Sequence, residues 1–278
     1  MSWKNIKTFL IILFLLINIY LIFSHYGFEF KQHGKTYIDK ETLDDTISII
    51  QNNYNIYLNK NLVPLKTDNL GIIDASNIIY TPDFKDSGYD FKTSGASFET
   101  NIPTDIISYN EENAGALVHK FLADMNIDTE NCEIIMKKGD SGITCTINEL
   151  LGPYSIFNGK IKMVFTAKNM NVKGSWYTAN KNSLNDSEKP AKMSDITGVI
   201  VDMASSIANS DGTQVKIIDI DYGYYVSYYD ENSVIKSSSA IPCYLLKDDK
   251  GCKYYYDALN GKQLKYDVSD DKQQKQEE

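Results

Sequence analysis

The sequence predicts an α+β chain: one N-terminal transmembrane helix, then an extracytoplasmic region of two repeated helix-plus-antiparallel-sheet units. Three observations carry this. An unbroken apolar run lies near the start, two later segments place apolar residues at 3/4 spacing, and each is followed by alternating runs joined at turn signals. With 278 residues, 42% hydrophobic and 23% charged, the composition is that of a chain with a core to bury.

Residues 8–23 read TFLIILFLLINIYLIF, with Asn18 the single strongly polar member. Continued to Phe28 the run reaches the ~20 residues a helix needs to cross a bilayer. A cleaved signal peptide has an apolar region of only ~7–15 residues and a small-x-small site, and no such pair follows Phe23. The expectation is therefore an uncleaved signal anchor. Lys4 and Lys7 precede the run and place the N-terminus in the cytoplasm. This makes a single-pass cell-membrane protein with a cytoplasmic stub at 1–7, a span at 8–28, the lipid bilayer as one partner, and the bulk of the chain extracellular. Trp3, Tyr20, Tyr26 and Phe28 suit interfacial aromatic belts. Asn18 either bonds a neighbouring helix, worth ~0.6–2 kcal/mol, or satisfies its own helix backbone.

Residues 29–109 form the first outer segment. Leu43, Ile47, Ile50 and Tyr54 define one face of a helix over 40–58. Residues 61–80 alternate apolar runs with Pro64, Asp68, Gly71 and Asn77, as short strands and turns do, and 82–103 reads as an irregular strand pair or loop. The first repeated unit occupies 110–180. Ala114, Leu117, Val118, Phe121, Leu122 and Met125 share a helix face, started by Asn110 with Glu111 and Glu112 near the positive end of the dipole. Strands follow at 132–137, 142–147, 160–167 and 171–178. A polar linker covers 181–193. The second unit, 194–267, repeats the pattern: Ile196, Val199, Ile200, Met203, Ala204 and Ile207 line a helix with Ser194 as its cap, and strands follow at 214–221, 224–229, 240–247 and 252–257. Residues 268–278 are a polar tail.

The net charge of -9 and pI near 4.9 repel phosphate backbones, which excludes nucleic acid as a partner. Of three histidines, His25, His33 and His119, one lies in the outer units. That is too few for a multi-histidine metal site, and His119 stands on the polar flank of its helix. Asp219, Asp221 and Asp230 have calcium-loop spacing, but Gly223 and Tyr224 occupy the fifth and sixth positions, so that site is rejected. Cys132 with Cys145 and Cys243 with Cys252 each flank a hairpin turn, so either pair is conceivable as a local disulfide, but the preferred turns place each off register, which favours free thiols. No hydrolase, zinc-protease or P-loop motif appears, so no catalytic residue, cofactor or metal is assigned. Twenty tyrosines cluster in DYGYYVSYYD and KYYYDAL. Tyr224, Tyr225, Tyr228 and Tyr229 are partner-contact candidates alongside Asn18 and Tyr20; alternation along a strand sends successive rings to opposite faces. A tyrosine-rich core is the plainer reading.

The N-terminal MSWKNIKTFLIILFLLINIYLIF, the block GPYSIFNGKIKMVFTAKNMNVKGSWYT and the run IDIDYGYYVSYYD…AIPCYLLKDDKGCKYYYDALNGKQL together resemble the YycI (WalI) family. The order of the blocks holds from Met1 to about Tyr266. The closing portion also resembles a PepSY-type unit, with Pro242, Tyr244, Tyr255, Asp257, Asn260 and Gly261 at the places of its pattern. Tyr244 replaces the usual tryptophan, and Cys243 and Cys252 depart from the pattern. The resemblance implies a non-enzymatic regulator of the WalK/WalR (YycG/YycF) two-component system of cell-wall metabolism in Gram-positive bacteria. It would contact the sensor histidine kinase together with a YycH-like protein. Two other classes stand beside it: a module binding a peptide or wall fragment in an aromatic cleft near Tyr224 to Tyr229, and a wall hydrolase using a carboxyl pair.

Overall fold

The computed structural model describes residues 14, 17–18, 35–77, 88–94, 96–104, 110–139, 142–166, 168–179, 184, 193–207, 213–231 and 234–267. After strand β1 (Lys35–Tyr37) comes helix α1 (Lys40–Tyr54). Asp39 starts the helix by accepting hydrogen bonds from the N–H groups of Glu41 and Thr42, at 3.1 and 3.3 Å, which have no acceptor within it. The helix ends at Tyr54 because Asn55 takes a left-handed conformation, φ 55°, which asparagine tolerates better than most residues. The helix predicted over 40–58 is therefore cut short. Ile56–Leu58 forms β2 instead, paired in parallel with residues 215–217, a partner that local periodicity cannot reveal. Strands β3 (Lys66–Asp68), β4 (Ile73–Asn77), β5 (Lys92–Ser94) and β6 (Ser97–Pro103) follow.

Helix α2 (Glu111–Asp124) opens on a reciprocal cap in which the side chains of Asn110 and Asn113 each accept from the other's backbone N–H at 2.8 Å. Next come β7 (Cys132–Gly139), β8 (Gly142–Leu151), β9 (Tyr154–Thr166), β10 (Asn169–Ser175) and β11 (Tyr177–Ala179). Helix α3 (Ile196–Ile207) is followed by β12 (Val215–Glu231), β13 (Val234–Asp248), β14 (Lys253–Asp257) and β15 (Gln263–Asp267). Its start is held by Asp195, whose carboxylate accepts from the Thr197 N–H at 3.0 Å, and not by Ser194, whose N–H bonds the Ala258 carbonyl.

Among the described residues, β1 and β3 pair by themselves and thirteen strands join in one sheet. Its main path runs β11-β4-β13-β12-β9-β10-β6-β5, with β14 and β15 beyond β13, β2 beside β12, and β8 and β7 beyond β9. The long strands change neighbours along their length. β13 pairs with β4 at Ser239 and Ala240 and with β14 from Cys243 to Lys247. β9 pairs with β10 from Lys160 onward and meets β12 at Ile156.

Among the described residues four hydrophobic clusters fill this frame, the smallest of them Cys243, Leu245 and Tyr255. Phe121, Leu122 and Met125 of α2 pack on Ile147, Ile161, Met163 and Phe165. Val199, Ile200 and Met203 of α3, with Leu43 and Ile50 of α1, pack on Ile217, Tyr244, Leu246 and Tyr256. Between them Leu151, Ile156, Tyr177, Tyr224 and Val226 form a bridging cluster.

Two expectations are corrected. The described residues are mainly strand, and all strands but β1 and β3 run through one continuous sheet instead of two separate helix-plus-sheet repeats. The cause is β12: predicted as two strands broken near Gly223, it is one strand of 17 residues that pairs with β2, β9 and β13. Gly223 is no turn. A Cβ there would lie 2.4 Å from the Ser155 carbonyl oxygen, so glycine is what lets β9 approach. The second correction concerns the membrane. Among the described residues no helix is long and apolar enough to cross one; a span needs ~20 residues, whereas α1 has 15 and α2 has 14. Of the predicted span 8–28, Phe14, Ile17 and Asn18 are described, all helical, and the rest lies outside the described residues. The single-pass, cell-membrane assignment with its extracellular bulk has no structural support and is set aside.

Candidate functional site

In β8 the residues Ile143, Cys145, Ile147, Glu149 and Leu151 alternate inward, and all five are buried. Four of these positions follow the rule that the core face of a strand is apolar. The fourth in order breaks it. Glu149 is 3% exposed, and it sits where the β8–β9 register shifts: Asn148 pairs with Lys160, but Glu149 pairs with Ile156.

The three residues of β9 skipped by this shift each have a task. Phe157 packs beside Tyr255 and Tyr225. Asn158 turns its amide onto β12, donating to the Val226 carbonyl at 2.8 Å and accepting the Val226 N–H at 2.9 Å, as a strand backbone would. Gly159 leaves space for the Glu149 carboxyl, because a Cβ there would lie 2.2 Å from Oε2. This bulge is where β9 exchanges β10 for β12 as its neighbour.

Among the described residues the Glu149 carboxyl accepts a hydrogen bond from the Tyr177 N–H to Oε2 at 2.9 Å. Burial holds its pKa well above the ordinary carboxyl value and outweighs that bond, which favours the ionised form. The carboxyl lines a cleft of about 120 Å³ between the 126–131 turn and β11, walled by Trp176 and Tyr177 and reached by Asn131. Asn131 Oδ1 is buried and, among the described residues, meets no hydrogen-bond partner. The cleft mixes apolar residues such as Ile127, Leu151 and Trp176 with polar ones, Asn126, Asp128, Asn131 and Thr178, around the one buried acid, Glu149, the mixture typical of small-ligand sites.

No family model matches the chain, and no curated protein is similar to it at a significant level. Among solved structures it is similar to an uncharacterized protein from Eubacterium rectale ATCC 33656, at 8% identity and a TM-score of 0.41, over 80% of this chain and 98% of the other.

The residues singled out from sequence do not gather in this cleft. The side chain of Asn18 donates to the Phe14 carbonyl at 2.8 Å, so it satisfies its own helix; Tyr20 lies outside the described residues. Tyr224 is fully buried, and among the described residues its hydroxyl lacks a hydrogen-bond partner. Tyr225 is half-buried, with its ring 5.3 Å from that of Tyr255. Tyr228 is 41% exposed. Tyr229 stands on β12, its side chain outside the description. Burial separates Tyr224 from Tyr228, and strand alternation turns Tyr225 to the opposite face from both.

Asp219 and Asp221 are drawn together by a cation: Lys247 Nζ lies 2.6 and 2.8 Å from their carboxylates. Burial alone would lower the Lys247 pKa, but the two carboxylates hold it above its ordinary value. The four cysteines are free thiols. Cys132 stands opposite Glu149 and Cys145 opposite Met136, which is the off-register arrangement; burial raises the Cys145 pKa to about 11, with a smaller contribution from Cys132. His119 is exposed. Sequence reading missed Glu149, although its signal was present: a carboxylate two residues after Ile147 in an alternating strand.

Proposed function

We propose that this chain is a non-enzymatic regulator that contacts the sensor histidine kinase of a cell-wall two-component system, in company with a YycH-like protein. One observation supports the reading beyond the sequence resemblance. Two of the three blocks that carry the resemblance, 152–178 and 218–264, are far apart in sequence but are joined through Asn158 and Val226. Beyond that joint β12 presents Tyr228, an exposed tyrosine of the kind enriched at protein interfaces. A contact biased by ~1.4 kcal/mol toward one kinase state changes a two-state ratio tenfold, so a small surface suffices.

Crosslinking cells that express the tagged full chain should recover the kinase, and Tyr228→Ala should lower the yield without altering the circular dichroism spectrum. Recovery of no kinase in repeated experiments would overturn the proposal. A second reading, a peptide- or wall-fragment-binding module without kinase contact, is favoured by the cleft over Glu149. That cleft lies at Trp176 and Tyr177 instead of near Tyr224 to Tyr229.

A further inference from the structure

We infer that the Glu149 cleft is a recognition site for a carboxamide group, whose N–H is received by Asn131 Oδ1 and whose carbonyl oxygen is received by the Glu149 carboxyl acting as donor. The inference deepens the ligand-binding reading and does not depend on the kinase contact. Four features of one place carry it.

First, Glu149 occupies a core position of β8, and room is made for it by Gly159. A buried carboxyl costs several kcal/mol unless neutralised or paired, yet no cation faces it in the cleft. Among the described residues the hydrogen bond that reaches it comes from the Tyr177 N–H to Oε2. Second, burial favours the protonated acid, which is a donor as well as an acceptor. Third, Asn131 Oδ1 is a buried acceptor with no partner among the described residues; such an atom costs ~1–3 kcal/mol while unpaired. Fourth, Trp176, Ile127 and Leu151 are among the residues that line the space and give it apolar surface. Its volume of about 120 Å³ is close to the ~150 Å³ of a cavity that admits one small ring.

A donor and an acceptor beside apolar walls match a group with one N–H, one carbonyl and a short apolar body. An amide is the simplest such group. A carboxylate ligand would bring a further acid against Glu149. Two sources present the same chemistry: a peptide, and an N-acetylated sugar.

The test uses the full chain in a Trp3→Phe background, which leaves Trp176 as the single tryptophan. N-acetylglycinamide and N-acetylglucosamine are titrated separately while Trp176 emission is followed. Saturable quenching or shift is expected with at least one, with a Kd on the order of 1 mM, the range for so small a ligand. A response to the first alone assigns a peptide source, and to the second alone a sugar source. Asn131→Leu should weaken binding about tenfold, the effect of one lost hydrogen bond of ~1.4 kcal/mol. Glu149→Gln should retain it, since the glutamine amide still donates, whereas Glu149→Met should lose it; circular dichroism verifies that each variant is folded. If Glu149→Met does not fold, Asn131→Leu decides the matter. No saturable change with either probe, or affinity unaltered by Asn131→Leu, would overturn the inference. Kinase recovery in the crosslinking experiment is indifferent to either result.

Discussion

Glu149 has a pH signature of its own. Below its ordinary value near 4.5 the carboxyl is protonated in both folded and unfolded chains. As pH rises past that value the unfolded chain releases the proton while the folded chain retains it. The unfolded state then binds fewer protons than the folded one, so stability declines with pH until the raised folded pKa is reached. Glu149→Gln removes this dependence, keeps an acceptor for the Tyr177 N–H, and should melt higher than the wild type at neutral pH but not at pH below 4.5. A melting-temperature difference that is constant with pH would contradict the buried, neutral acid. Gly159 belongs to the same pair: Gly159→Ala places a Cβ 2.2 Å from Glu149 Oε2 and should cost ~1–3 kcal/mol in urea unfolding. In a Glu149→Gly background most of that cost should disappear, because the close contacts a Cβ at 159 would make, 2.2 Å to Oε2 and 2.8 Å to Cβ, all come from the Glu149 side chain.

At the scale of elements, the helices were the most legible part. The 3/4 spacing located α2 and α3, and Asn110 did begin the first of them, because capping and one-sided burial are local facts. The strands were less legible wherever a distant partner decided them. β2 was taken into α1 because the pairing with 215–217 is remote, and β12 was split at Gly223 because glycine reads as a turn whether its role is a bend or a close approach. The bulge in β9 had no sequence signature, although it sets the site. It also yields a prediction. Asn158→Ala removes both hydrogen bonds to Val226 and leaves a buried backbone pair unsatisfied, which should cost ~1–3 kcal/mol. Amide hydrogen exchange at Val226 should accelerate while that of Phe165, deep in the α2 core, changes little. Equal acceleration at both would mean that the bulge does not hold a separate joint.

At the scale of the molecule, periodicity found two helices that each pack on strands but not the continuity of the sheet beneath them, which depends on long strands changing partners. The candidate cleft was invisible for the same reason: Asn131, Glu149 and Tyr177 come from three segments that meet through the fold. The tyrosines that stood out in sequence proved to be divided between core and surface, with Tyr224 buried and Tyr228 exposed. The regulatory proposal is tested most directly by reconstitution. The purified sensor kinase and its response regulator are followed for phosphoryl transfer with and without the full chain. A change in autophosphorylation rate of roughly tenfold, the response to a bias of ~1.4 kcal/mol, that is diminished by Tyr228→Ala but not by Glu149→Gln, is the predicted result. Identical rates with and without the chain at saturating concentration would contradict it.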